Sequence, residues 1–167
     1  MSSFQELDAK SLSMNPFSLI GDKWMLITSG NQEKYNTMTA SWGSIGVMWG
    51  KNVAFAFIRP QRYTFEFVEN EEYFTLSFYP DEYKKTLSLC GKVSGRDVDK
   101  VKEANLTPIF DEQAPYFEES NLVLVCKKLY AQNLSSEYFC EKDLDKFYPN
   151  KDYHKMFVGE IIKVLAK

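Results

Sequence analysis

Residues 35–49 read YNTMTASWGSIGVMW. Thr, aromatic and β-branched residues crowd this stretch, a composition that favours extended backbone over helix. Gly43 and Gly46 predict a bend or bulge within it. In a strand, alternate side chains share a face, so Thr37, Thr39 and Ser41 fall on one side and Met38, Ala40 and Trp42 on the other. A polar row opposite an apolar row fits a strand that lines a pocket and offers backbone groups to a ligand's edge. It fits equally a strand with core on one side and solvent on the other.

Outward from this stretch the extended signals continue. Trp24–Ser29 (WMLITS) is a short apolar run that ends at the turn signal Gly30-Asn31. Val53–Ile58 (VAFAFI) and Tyr73–Phe78 (YFTLSF) alternate bulky with small or polar residues, and Leu122–Val125 and Met156–Leu165 complete at least six strands. Helical patterns lie between them at Arg62–Glu69 and Asp97–Ala104, the second ended by Leu106-Thr107-Pro108. Successive strands with few, short helices predict a mainly β barrel or sandwich.

The chain has 167 residues without a linker-like or repetitive segment, so residues 1–167 read as a single domain. With 44% hydrophobic and 26% charged residues it has the balance of a folded protein rather than a disordered one. Its net charge of −3 argues against nucleic acid as a partner. No apolar run is long enough for a membrane span, and the N-terminal stretch carries acids where a signal sequence would be basic. Cys90, Cys126 and Cys140 are odd in number and spaced like neither a disulfide framework nor a metal knuckle. A reducing cytoplasm is the expected location.

Chemistry carried by side chains alone finds little support. His154 is the only histidine, no GxSxG elbow accompanies it, and no set of three or four metal ligands is spaced for zinc. No metal is therefore expected. Gly43, Gly46 and Gly50 do not form a dinucleotide fingerprint. Asp97 and Asp99 would point apart on a helix. An enzyme of this composition is expected to use a cofactor.

Arginine is scarce, at three residues against 17 lysines, and Arg59, Arg62 and Arg96 all fall between positions 59 and 96. A guanidinium grips phosphate through a planar fork that an ammonium lacks. Pro60 fixes the turn after the preceding strand and puts Tyr63 and Thr64 in the first helical turn, where free amides attract anions. The alternatives are that the arginines pair with Glu66 or Glu69 and that Thr64 is an N-terminal cap. Lys92, Ser94, Arg96 and Asp97 form a basic and polar loop that either closes over a ligand or simply starts a solvated helix.

Four phrases in order, NTMTASWG (36–43), RPQRYT (59–64), CGKVSGRDVDK (90–100) and YHKMFVGEI (153–161), resemble the flavin reductase-like, FMN-binding split-barrel family, most closely its flavoredoxin-like branch. The resemblance covers roughly residues 15–165. It implies a Greek-key split β-barrel that forms a homodimer and holds FMN in a groove close to the dimer interface. Met38, Thr39, Ala40, Ser41 and Trp42 would border the flavin ring, Arg59, Arg62, Tyr63 and Thr64 the phosphate, and Lys92, Ser94, Arg96 and Asp97 the adjoining loop. His154 would match the histidine near the nicotinamide or flavin site, as the candidate catalytic residue, or be a satisfied residue that opens the last strand. The segment Lys151-Asp152-Tyr153-His154 lacks the family's glycine, with Tyr153 at the acidic position, which puts pyridine-nucleotide use in question. The implied activity passes electrons from NAD(P)H or a protein donor through FMN to a flavin or redox-protein acceptor. An FMN electron carrier without NAD(P)H activity and a non-redox ligand-binding barrel remain as alternatives.

Overall fold

In the computed structural model, which describes residues 3–167, the chain runs β1 (Gln5–Leu7), α1 (Pro16–Gly21), β2 (Met25–Gly30), β3 (Tyr35–Ala40), β4 (Gly43–Met48) and β5 (Lys51–Ile58). Then follow α2 (Tyr63–Asn70), β6 (Tyr73–Phe78), α3 (Lys84–Lys92), α4 (Lys100–Glu103), β7 (Pro108–Ile109), β8 (Tyr116–Phe117), β9 (Leu122–Asn133) and β10 (Lys155–Ala166). Short 3-10 turns fill several of the connections.

The main sheet is antiparallel throughout and follows the order β3-β2-β6-β9-β10-β5-β4, with β1 joined to the far half of β10. The neighbours β2·β6, β6·β9 and β10·β5 are distant in sequence, which gives the crossed connections of a Greek key. The two ends of this path, β3 and β4, are consecutive strands separated only by Ser41 and Trp42. A sheet whose end strands are joined by two residues must curl on itself. β3 and β4 do not pair across the seam, so the barrel is split there.

The expected strands all form. Gly43 and Gly46 differ from expectation: the pairing of β4 with β5 runs without a register shift, and the break in the 35–49 stretch falls at Ser41-Trp42. The bulges lie instead between Val158 and Gly159 and between Ile161 and Lys163 on β10. There a Cβ on Gly159 would sit 2.7 Å from the Phe74 ring and 2.8 Å from the Cys126 Cβ, so only glycine lets β10 cross this core.

The apolar face of β3 behaves as alternation predicts, with Met38 and Ala40 in a core shared with Ile27, Phe74 and Phe157. Its polar face is covered by protein. Thr37 is fully buried and bonds Thr28 at 2.8 Å, and Thr39 donates to the Leu87 carbonyl of α3. Helix α3 went unread because KKTLSLCGK mixes lysines with a glycine. Conversely, the helix expected over 97–104 shortens to Lys100–Glu103, capped by the Asp99 side chain at 3.2 Å to the Lys102 amide. Among the described residues no helix is long and apolar enough to cross a membrane.

Candidate functional site

The unpaired seam opens into a groove. Ser41 and Trp42, the link that leaves β3, stand between two cavities, and His154 and Phe57 line both. One cavity, of about 250 Å³, is walled by residues 38–42 and closed by Arg59 and Arg62. The other, of about 500 Å³, extends toward α1 and Tyr148.

Pro60 sets the geometry that brings the arginines here. The Arg62 amide donates to the Arg59 carbonyl at 3.1 Å, closing a turn after β5, and α2 begins at Tyr63. Arg62 has extended backbone at the N-cap and offers no side-chain cap. Its Nη1 donates to the Gly91 carbonyl at 3.1 Å, while Nη2 is buried without a partner. Burial pulls the Arg62 pKa down, yet a guanidinium stays charged at neutral pH. A buried, charged donor without a hydrogen-bond partner, on a residue that lines two cavities, suits an anion.

Behind Arg62 lies a small cavity of about 110 Å³, lined also by Tyr63, Thr64, Lys92, Ser94 and Lys100. No carboxylate borders it. Here α2 begins, and Tyr63 and Thr64 of its first turn line the cavity, whereas the Phe65 amide is taken by the Arg62 carbonyl at 3.0 Å. Thr64 sits in that turn rather than at the cap, and its hydroxyl accepts from Asn36 Nδ2 at 2.8 Å. Lys100 is 3% exposed and donates to the Cys90 carbonyl at 3.0 Å. Burial, and then the charge of Arg62, pull its pKa down to about 8. Sequence reasoning missed this residue, because a lysine in RDVDK looks like a solvated helix face.

The three arginines do not converge on one point. Arg59 is held by Asp152 at 3.0 Å, donates to the Phe147 carbonyl at 2.8 Å and lies 4.8 Å over the Tyr148 ring. Arg96 is committed to α2: it pairs with Glu66, donates to the Gln61 carbonyl and stacks on Tyr63 at 4.7 Å. Arg96 thus pairs with Glu66 and lines a different cavity from Arg62. The loop divides accordingly. Lys92 and Ser94 face the Arg62 cavity, whereas Arg96 and Asp97 face a separate cavity of about 380 Å³ near Tyr35. Gly95 makes the division: a Cβ there would lie 2.9 Å from the Asn36 Cγ and 3.2 Å from the Tyr63 ring.

His154 immediately precedes β10 and lines the groove, 9% exposed. Its Nδ1 lies 2.7 Å from the Tyr148 hydroxyl, and its ring is 5.0 Å from that of Trp42. Burial and then Arg59 lower its pKa to about 4, against a weaker upward pull from Asp152, so the imidazole is neutral at physiological pH. Tyr148 belongs to the segment 134–154, which folds over the groove. Arg59 and Gln61 anchor it at Asp152, the latter at 2.6 Å, and Phe147 meets Trp42 edge to face. No pattern in the sequence marked Tyr148. Tyr153 donates to Asp145 at 3.0 Å.

Comparison with known proteins agrees with this architecture. The family model described as a flavin reductase like domain matches residues 17–167. An FMN-binding domain of a flavin reductases-like enzyme from Shewanella baltica OS155 superposes with a TM-score of 0.71 at 16% identity, over 99% of this chain and 78% of that one. Flavoredoxin of Desulfovibrio vulgaris (Miyazaki F) gives 0.67 at 22% identity, over 86% and 69%. Flavoredoxin from Methanosarcina acetivorans gives 0.67 at 24% identity, over 87% and 68%. No curated protein matches the chain in sequence.

Proposed function

The chain belongs to the flavin reductase-like domain family, and on that premise we propose that it is an FMN-binding oxidoreductase. In this reading it moves electrons from NAD(P)H or a protein donor to a flavin or redox-protein acceptor. The observation that carries it is the buried, unpartnered Nη2 of Arg62, set between a groove walled by residues 38–42 and a carboxylate-free basic cavity. FMN bound there would supply reversible one- and two-electron chemistry.

The chain's own residues do the holding and the tuning. Arg62, Lys92, Lys100 and the start of α2 supply positive potential for a phosphate, and the Ser94 hydroxyl lies in the same cavity. Met38 and Ala40 give apolar support, while the backbone of Thr39, Ala40 and Ser41 offers hydrogen bonds to a heterocycle's polar edge. Arg59, paired with Asp152, places a second cation at the groove that would favour negative charge on a bound ring. Trp42, Phe147, Tyr148 and His154 form a chain of ring contacts along the groove. His154 is neutral and hydrogen-bonded, so it orients rather than titrates near pH 7.

Purified protein given FMN should retain a yellow flavin spectrum after gel filtration. Arg62→Ala should weaken retention at least tenfold, since a buried charge-assisted contact contributes roughly 1.5–3 kcal/mol. Protein that stays colourless with added FMN rejects the reading and favours a non-redox barrel.

A second reading, an FMN electron carrier without NAD(P)H activity, is favoured by the segment Lys151-Asp152-Tyr153, which departs from the family's pattern. Stopped-flow mixing with NADH and with NADPH separates the two. Prompt bleaching rejects the carrier, and a flavin that stays oxidised supports it.

A further inference from the structure

Lys100 lines the basic cavity behind Arg62 as a cation without a counterion. It is 3% exposed, and among the described residues it joins no ion pair. Its Nζ donates to the Cys90 carbonyl at 3.0 Å, and Arg62 Nη1 donates to the next carbonyl, that of Gly91, at 3.1 Å. Two positive heads are thus held side by side on the last turn of α3. No carboxylate lines the cavity, and burial raises the pKa of the neighbouring Cys90 thiol, which stays uncharged at neutral pH.

Loss of water and the adjacent guanidinium both act against the ammonium, and they bring the Lys100 pKa down to about 8. At pH 7.5 roughly a quarter of such amines are neutral, against about one in a thousand of ordinary lysines. Only the neutral amine has a lone pair for attack on a carbonyl, so a lysine desolvated beside a second cation becomes a nucleophile. The same cavity draws anions through Arg62, whose Nη2 is buried without a partner. Its volume of about 110 Å³ equals roughly three to four waters at about 30 Å³ each, room for a phosphate and a short chain. A nucleophile and an anion site in one small cavity select a short electrophile that carries its own phosphate.

We propose that Lys100 is an acylation site whose donor is a small acyl phosphate, held by Arg62 and Lys92 and attacked by the Lys100 amine. Nζ forms a bond to the acyl carbon as the bond from that carbon to the phosphate oxygen breaks. The amine gives up one proton, which leaves with inorganic phosphate, and nothing is oxidised or reduced. The product is a neutral amide, so the cavity loses one of the three cations that line it. Acylation itself rests on the cavity alone. Its consequence, weaker retention of FMN, rests on the flavin reading above.

The test incubates the full-length protein with acetyl phosphate, with and without FMN, and follows each lysine by peptide mass spectrometry. Lys100 should gain an acetyl group at least tenfold faster than the exposed Lys85 and Lys142. Inorganic phosphate and FMN should each slow Lys100 alone, and acetic anhydride, which carries no phosphate, should favour the exposed lysines instead. Arg62→Ala should bring Lys100 down to the rate of Lys85 and leave Lys85 unchanged; if that variant does not fold, protection of the wild type by inorganic phosphate decides. Protein acetylated at Lys100 should retain FMN at least tenfold more weakly. Lys100 modified no faster than Lys85, unprotected by inorganic phosphate, or equally favoured by acetic anhydride overturns the proposal. If phosphate protects but FMN does not, or the acetylated protein holds FMN as before, the acylation site stands and the placing of the flavin's phosphate in this cavity falls.

Discussion

Buried between the Tyr148 phenol, the Arg59 guanidinium, the Asp152 carboxylate and the Trp42 ring, His154 meets two obstacles to protonation. Removing water disfavours the imidazolium, and Arg59 repels it. In the unfolded chain the same group titrates near its ordinary value of about 6.5. Between pH 6.5 and about 4 the unfolded state therefore binds more protons than the folded one, and stability falls as pH falls through that window. The slope approaches about 1.4 kcal/mol per pH unit. His154→Gln cannot titrate, so its urea-unfolding free energy should be flatter than wild type between pH 6.5 and 4.5. Parallel profiles would show that His154 is not held neutral. Asp152, lowered first by its bond with Gln61, acts with the same sign in a lower window: it favours the fold above its ordinary carboxylate range and loses that contribution as pH falls below it. Arg62 and Lys100 show how unevenly such residues can be read. The rarity of arginine drew attention to Arg62, whereas Lys100 is one lysine among 17 and its burial follows from a fold the local pattern does not encode.

Elements carry the site because chain crossings, not local propensity, decide what covers what. The alternation in YNTMTASW correctly separates Met38 and Ala40 from Thr37 and Thr39, but only the packing of α3 on β3 shows that the threonine face is sealed by protein. The short strands and α2 were legible from alternation and from Pro60. The β10 bulge was not, since Gly159 stands in an otherwise regular run. Gly159→Ala would force a methyl against Phe74 and Cys126, both fully buried. It should destabilise by about 1–3 kcal/mol, read as a lower denaturation midpoint with an unchanged slope. A neutral result would mean that β10 shifts to accommodate it. The segment 134–154 depends on fewer ties, chiefly Asp152 to Arg59 and Gln61. Asp152→Ala should speed amide hydrogen exchange across residues 139–153 while β9 and β10 keep their protection. Unaltered exchange there would assign the anchoring to the aromatic contacts of Phe147 and Tyr148 instead.

At the scale of the whole molecule, closing the sheet at Ser41-Trp42 leaves one face of the barrel without cover. Val47 is 76% exposed and Trp49 56% at the β4–β5 hairpin, Tyr130 is 41% exposed on β9 and Ile162 38% on β10. Trp49 and Tyr130 already meet edge to face with centroids 6.0 Å apart, so the hairpin end and β9 present a joined apolar surface. Large apolar side chains gathered in this way mark an interaction surface more often than a free one. A second copy of the chain is the occupant expected from the family resemblance, and a two-fold interface would let each copy cover the other's patch. Sedimentation velocity should then give a species of about twice 19.4 kDa. Val47→Lys combined with Trp49→Lys should shift it to the monomer with an unchanged far-ultraviolet spectrum, because neither side chain is buried within its own barrel. A groove complete within one chain would let the charged variant still take up FMN; loss of flavin on dissociation would instead mean that the partner completes the site. A wild-type protein that sediments as a monomer at tens of micromolar would leave the patch to a different partner and remove the homodimer from the reading.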